Sequence, residues 1–125
     1  MHKVAVYGTL KHGGSNSHLL SSSELIGVQR LEGWKLYTNG VYPHAVPSDE
    51  SIHIEIYEVS SAVLAQLDHL EGYDALSSRR SMYQRMTVET ECGPALIYYM
   101  TRRVWGTDRV PSGKFMQLTI QNGVQ

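Results

Sequence analysis

The sequence contains one cysteine, Cys92, and therefore cannot form an internal disulfide bond. This excludes the disulfide-stapled scaffolds of small secreted proteins and fits a reducing compartment, so we expect a cytoplasmic protein. No apolar run approaches the ~20 residues that a membrane-spanning helix needs. Met1 is followed by a strand-like stretch rather than by the apolar core of a signal peptide. We therefore expect no membrane partner.

An excess of charge of one sign is also missing, because the formal net charge is -1 at pH 7. Such a balance gives no broad attraction to nucleic acid or to acidic membranes. Two arginine pairs, Arg79-Arg80 and Arg102-Arg103, lie near tyrosine and tryptophan residues, a combination that also occurs on surfaces for single-stranded nucleic acid. The net charge and the mixed glutamate content argue against that use, and we expect no nucleic-acid partner.

Patterns that bind metals are missing as well. The six histidines include no pair at the i, i+4 spacing of a helix, and none belongs to an HExxH pattern. Zinc requires three or four ligands that converge on one point, so we expect no metal site. Cys92, beside Gly93-Pro94 in a predicted hairpin turn, lacks the helix N-terminus or paired base that activates a thiol nucleophile.

Alternating apolar residues predict strands along much of the chain. In SIHIEIYEV (51–59), Ile52, Ile54 and Ile56 alternate with other residue types, which is typical of a strand with one buried face. Other predicted strands comprise residues 3–7, 24–30 and 33–39 and a hairpin on either side of Cys92-Gly93-Pro94. A main helix is predicted over 60–71, with Ser60 as N-cap and Gly72 as terminator, and a short one over 16–22 with Ser15 or Asn16 as cap. This order favours an α+β fold in one domain, residues 1–125, with a small mixed barrel-like sheet and one main helix packed on it.

The main helix places a carboxylate among apolar residues. Each residue advances by roughly 100° around a helix, so one arc of about 120° holds the large apolar residues Val63, Leu64, Leu67 and Leu70. Glu71 falls in the same arc, in the last turn. Desolvation and the negative end of the helix dipole would raise the pKa of this carboxyl, which suits general-base chemistry near neutral pH. The geometry alone leaves open that Glu71 marks the helix end and bends out to solvent.

The segment VYGTLKHGG, residues 6–14, joins the first strand to the short helix. The spacing from Gly8 to Gly13 matches that of a phosphate loop, but Gly14 stands where such a loop needs a lysine. We therefore expect no nucleotide hydrolysis. The glycine-rich backbone can still offer N–H donors to a small anion or an oxyanion. An ordinary strand-to-helix turn is the alternative that the residues leave open.

Four segments, in one order along the chain, resemble the gamma-glutamylcyclotransferase-like proteins, and their AIG2-like branch directed at gamma-glutamylamines in particular. VYGTLKHGG resembles the entry loop of that family, and LDHLEGY (67–73) resembles the end of its helix. YQR (83–85) resembles its tyrosine–x–arginine strand, and GVYPHAV (40–46) resembles the segment ahead of its central strand.

The resemblance implies a compact barrel-like fold with a cavity, and catalysis without cofactor or metal. It implies a small-molecule gamma-glutamyl substrate whose own α-amine attacks the γ-carbonyl, giving 5-oxoproline and a free amine. Glu71 corresponds to the catalytic carboxylate of the family and is expected to act as general acid and base. The implied substrate-binding residues are Tyr7, Gly8, Thr9, Leu10, Tyr83 and Arg85, the last two as pocket or supporting residues.

Gly8 would let backbone donors come within ~3 Å of substrate oxygens, so Gly8→Val is expected to impair turnover more than folding. Two features depart from the family pattern: Leu70 stands where many members have phenylalanine, and the tail RRVWGTDRVPSGKF (102–115) has no firm match. The main functional alternative is a non-catalytic module that holds a small ligand in the same cavity. No pattern in the sequence assigns an oligomeric state.

Overall fold

The strand-rich sequence folds around one sheet and one α-helix in the computed structural model, which describes residues 1–77 and 79–115. The strands are β1 (His2–Val6), β2 (Glu24–Thr38), β3 (Pro43–Val59), β4 (Gln84–Thr90), β5 (Gly93–Tyr99) and β6 (Asp108–Val110). The helix α1 (Ser61–Glu71) follows β3, and a short 3-10 turn (Ser17–Leu20) precedes β2. The end of the predicted domain, residues 116–125, lies outside the described residues.

The strands form one mixed sheet in the order β4-β5-β1-β3-β2-β6. Strands β1 and β5 pair in parallel, and the other neighbouring pairs of described strands are antiparallel. The sheet is curled into a half-barrel with α1 packed on it, which confirms the predicted α+β, barrel-like architecture. No helix among the described residues is long and apolar enough to cross a bilayer.

Alternation along β1 and β3 gives the sheet two apolar faces. Val4 and Val6 pack with Leu67 of α1 on one face, as the period of a strand requires. On the other face, Ala5 belongs to a second buried cluster together with the isoleucines that alternate in β3, Ile52, Ile54 and Ile56. Because β1 runs beneath α1, the residues that follow Val6 emerge beside the C-terminal end of that helix.

One long strand, β2, replaces the two short strands predicted over 24–30 and 33–39. Glu32 pairs with Ser51 of β3 and Trp34 with Pro47, so the register shifts around Gly33. Gly33 has φ +100, a conformation that residues with a Cβ rarely adopt. Gly33 alone thus lies opposite Ser48, Asp49 and Glu50, so the extra residues of this irregularity belong to β3, and β2 passes Gly33 without ending.

Both predicted caps of α1 are present. The Ser60 side chain accepts a hydrogen bond from the Val63 N–H at 3.2 Å, and Gly72 ends the helix in the left-handed conformation. Leu67 is fully buried, but Leu70 is 38% exposed and does not share the buried arc in which it was predicted. Since the helix ends at Glu71, the backbone fixes that side chain at the edge of the buried face.

Gly72→Ala is expected to lower the free energy of unfolding by about 1–2 kcal/mol. At φ +65 an added Cβ is strained, and it would also lie 2.9 Å from Met82 Cβ. Urea unfolding measures the loss. Gly106→Ala is the matched control, because Gly106 has φ +86 but open space where its Cβ would stand. An equal loss in the two variants would contradict a contribution from the contact with Met82.

Candidate functional site

A narrow cavity, here called the inner cavity, lies where the end of α1 meets the loop after β1. Its walls are Ala5, Val6, Tyr7, Gly8, Thr9, Leu10, Tyr42, Pro43, Glu71, Tyr83 and Tyr98. Glu71 and the residues of the predicted binding loop therefore face one space, although about half of the chain length separates them. Glu71 is only partly exposed and faces the cavity, so the structure contradicts the alternative in which it bends out to solvent.

Glu71 is partly buried, and its burial raises the pKa of the carboxyl to about 7. The sequence also predicted a raised pKa for this carboxyl, and the cause in the structure is desolvation of its charged form. Within residues 1–77 and 79–115, no hydrogen-bond donor or cation is paired with this carboxylate. The group can therefore take up and release a proton near neutral pH while it remains free to contact a ligand.

The loop after β1 folds back on itself through backbone hydrogen bonds. The Lys11 N–H donates to Gly8 O at 3.0 Å, and the Asn16 N–H donates to Thr9 O at 2.9 Å. In the part of the chain that the structure describes, no protein acceptor bonds the N–H groups of Gly8, Thr9 or Leu10. These three neighbouring donors are available to an anionic or carbonyl oxygen in the cavity.

Gly8 approaches Pro43 closely. A Cβ at position 8 would lie 2.6 Å from Pro43 Cγ, closer than side-chain atoms can pack. Gly8→Val therefore carries a packing cost against the start of β3 besides any effect on turnover, and the expectation that it impairs turnover more than folding stays a prediction. Gly14 has a related role, because its Cβ would lie 2.2 Å from Thr9 O.

Tyrosine hydroxyls fix the walls of the inner cavity. The Tyr7 hydroxyl donates to Tyr98 O at 2.8 Å and accepts from the Ala45 N–H at 3.1 Å. The Tyr83 hydroxyl donates to Pro43 O at 2.7 Å. Burial raises the pKa of both phenols above their usual range, with the neighbouring Glu71 adding to the effect. Both side chains are therefore neutral, apolar walls whose polar ends are satisfied by the backbone.

Arg85 was predicted as a pocket or supporting residue, and it does not line the inner cavity. Its guanidinium donates to both carboxylate oxygens of Asp68, at 2.9 and 2.8 Å, and lies 4.6 Å from the centre of the Tyr73 ring. Asp68 also accepts a hydrogen bond of 2.6 Å from the Tyr98 hydroxyl. Arg85 thus acts on the site through Asp68, which ties the last turn of α1 to β4 and β5.

Asp68→Ala is expected to destabilise the protein by about 2–3 kcal/mol, because the Arg85 guanidinium and the Tyr98 hydroxyl both lose their acceptor. Thermal or urea unfolding measures the change. The control is Glu50→Ala, which removes the ion pair with Arg109, where the two side chains are 40% and 38% exposed. That loss is expected to stay below about 1 kcal/mol. Similar losses in the two variants would show that the Asp68 network is no stronger than a surface ion pair.

A wider depression, here called the outer cavity, opens beside the inner one and has a volume of about 310 Å³. It shares four walls with the inner cavity, namely Thr9, Tyr42, Glu71 and Tyr83. Its other walls are Asn16, Asn39, His44, Leu70, Met82, Met100, Val104 and Thr107. Leu70, the position at which the sequence departs from the resembling family, therefore forms part of a cavity wall. Glu71 stands at the junction of the two spaces.

Sequence reasoning missed His44, which is 3% exposed and lines the outer cavity. Its Nε2 accepts a hydrogen bond of 3.1 Å from the Val104 N–H, and burial lowers the pKa of the imidazole. The segment GVYPHAV contains this histidine and could have pointed to it. Cys92 packs against Gly27, away from both sets of walls. Among the described residues, no three His, Cys, Asp or Glu side chains are grouped to hold a metal ion.

Comparisons with known proteins match both the sequence and the fold of this chain. A family model described as gamma-glutamyl cyclotransferase, AIG2-like, matches residues 4–117. The gamma-glutamylcyclotransferase family protein YtfP of Escherichia coli (strain K12) is 35% identical over 114 residues, which cover 91% of this chain and 96% of that protein. Its solution NMR structure matches with a TM-score of 0.69. The crystal structure of PH0828 from Pyrococcus horikoshii, 27% identical, matches 92% of this chain and 90% of its own with a TM-score of 0.77.

Proposed function

The chain belongs to the gamma-glutamyl cyclotransferase, AIG2-like family, and we propose that it converts gamma-glutamyl amides into 5-oxoproline and a free amine. The α-nitrogen of the glutamyl group attacks its own γ-carbonyl, so one C–N bond forms in a five-membered ring. The amide C–N bond then breaks, and the amine leaves. Because the nucleophile belongs to the substrate, the protein has to supply proton transfer, charge stabilisation and a pocket that selects the folded-back shape.

The observation that carries this proposal is the Glu71 carboxylate, which has no partner among the described residues and a pKa of about 7, at the junction of the two cavities. The α-amine arrives as an ammonium ion, which cannot attack until it has lost a proton. Glu71 takes that proton and delivers it to the departing nitrogen. The ring nitrogen loses a second proton by the same route, so two protons leave the α-nitrogen and two reach the released amine.

The backbone amides of Gly8, Thr9 and Leu10 supply the second part of the chemistry. Attack on the γ-carbonyl places a negative charge on its oxygen, and backbone donors held rigidly in position stabilise such a charge without reorganisation. The same donors can hold the α-carboxylate of the substrate. The phenol rings of Tyr7 and Tyr83 shape the space around the glutamyl chain, and Arg85 keeps α1 in place through Asp68.

The proposed reaction transfers no electrons, so we propose catalysis without a cofactor. We further propose that residues 1–125 form one catalytic unit and act on small gamma-glutamyl compounds in the cytoplasm.

Glu71→Gln is expected to lower kcat by at least about 10²-fold, because the amide cannot exchange the proton. The folded state is expected to be more stable than the wild type above pH 7, by up to about 3 kcal/mol, because the variant no longer holds an ionised carboxylate in a partly dry site. The measurements are 5-oxoproline release by mass spectrometry and urea unfolding at pH 8.

Glu24→Gln, at an exposed position of β2, is the matched control and should change neither quantity. Turnover at the wild-type rate by folded Glu71→Gln protein would refute the proton-transfer role. Binding of gamma-glutamyl amides by wild-type protein with no 5-oxoproline release would identify the non-catalytic binding module.

The pH dependence provides an independent check. Ionised Glu71 is needed in the free enzyme, so kcat/KM should rise about tenfold per pH unit below 7 and become level above it. The stability contribution has the opposite sign: because the folded-state pKa is raised above 4.5, the free energy of unfolding should fall as the pH rises from about 4.5 to about 7. A kcat/KM that stays constant from pH 5 to pH 8 would contradict the assignment.

A further inference from the structure

The lining of the outer cavity is almost free of charge. Apart from Glu71, its side chains carry amides, hydroxyls, one imidazole and four large apolar groups, Leu70, Met82, Met100 and Val104. His44 is held neutral by burial and by the Val104 N–H at its Nε2. A charged group inside this cavity would lose hydration without gaining an opposite charge, apart from the carboxylate that the proposed reaction already uses.

Several of these apolar walls are exposed to solvent. Leu70 is 38%, Val104 42% and Met82 68% exposed, although each lines the same depression. Single exposed apolar residues are common, whereas a group of them around one opening indicates a surface that a ligand covers. Methionine walls also adapt to the shape of an apolar chain, because the thioether side chain is unbranched and polarizable.

The two cavities adjoin, because they share the walls Thr9, Tyr42, Glu71 and Tyr83. The inner cavity has a volume of only about 40 Å³, so a glutamyl group would fill it and extend past Glu71 toward the outer cavity, with its γ-carbonyl beside the carboxylate that must also reach the departing nitrogen. The chain attached to that nitrogen then has the outer cavity as its adjoining space. The volume of about 310 Å³ lies at the lower end of the range for small-molecule sites.

We propose that the outer cavity holds the leaving amine and selects gamma-glutamyl amides whose amine carries an uncharged, apolar chain. This inference rests on the proposed cyclotransferase function and adds to it a preference for the kind of amine that leaves. Leu70, Met82 and Val104 determine the preference by covering the alkyl chain of the substrate. Substrates that end in an ammonium or a carboxylate are disfavoured, because neither finds a partner there.

The main alternative is a substrate whose leaving amine ends in a carboxylate, because a second groove, which contains arginines, adjoins the outer cavity. The groove shares Met82, Met100 and Val104 with it and is also lined by Arg102 and Arg103. Arg103 is engaged, since its guanidinium donates to Thr107 O and lies 5.4 Å from the centre of the Tyr37 ring. Arg102 is exposed to solvent and remains hydrated, so it offers a carboxylate little more than water does.

Three gamma-L-glutamyl amides of similar length test the inference: the n-hexylamide, the 5-aminopentylamide and the amide of 6-aminohexanoic acid. We expect kcat/KM for 5-oxoproline release to be at least tenfold higher for the hexylamide than for either charged substrate. Values within threefold of one another, or a preference for a charged chain, would overturn the inference and leave the cyclotransferase function intact. No 5-oxoproline from any of the three would overturn the proposed function, and this inference with it.

Met82→Lys tests the wall directly, because Met82 is largely exposed and its backbone N–H, which donates to Gly72 O, is retained. The ratio of kcat/KM for the carboxylate substrate to that for the hexylamide should rise about threefold or more in this variant, chiefly because the hexylamide loses an apolar wall, since an exposed lysine attracts a carboxylate only weakly. Leu76→Lys is the matched control, since Leu76 is 95% exposed and lies outside both cavities, and its ratio should equal that of the wild type. An unchanged ratio in folded Met82→Lys protein would overturn the role of this wall.

Discussion

The rest of the site depends on one constraint: a carboxylate is held partly out of water at the position where α1 ends. Glu71 is kept there by Gly72, whose left-handed backbone stops the helix, and by Asp68, which anchors the last turn to Arg85 and Tyr98. Desolvation without a compensating donor gives the carboxyl its raised pKa. The ionised form of Glu71 thus lowers the stability of the fold, although it is the residue that the proposed chemistry needs most. Perturbed pKa values of this kind are common at functional sites.

Local signals explain why α1 could be predicted from the sequence and β2 could not. A serine before the helix and a glycine after it act within a few residues, and the helical period places Glu71 on the same arc as Val63, Leu64 and Leu67. Gly33 is different, because a glycine between two apolar stretches is compatible with a turn or with a strand that continues. The pairing of β2 with β3, a partner that lies far along the chain, decides between them.

The difference between local signals and long-range contacts also explains which parts of the candidate site could be predicted. The loop from Tyr7 to Leu10 and the carboxylate of Glu71 were predicted from motifs and from the resemblance to a family. The bond of Arg85 to Asp68 and the outer-cavity walls Met82, Met100, Val104 and Thr107 were not predicted, since they depend on which distant segments meet. Met100, Val104 and Thr107 come from the part of the chain around the tail that had no firm match, and His44 from a segment quoted without a role for its side chain.

The contact between Gly8 and Pro43 couples two positions that are far apart in the sequence. A larger residue at position 8 requires a smaller one at position 43, yet the Pro43 carbonyl also accepts the Tyr83 hydroxyl, so a shift of its backbone would move a wall of the inner cavity. Substitutions at positions 8, 43 and 83 are therefore expected to occur together in evolution. A relative that differs at one of these three positions should also differ at another.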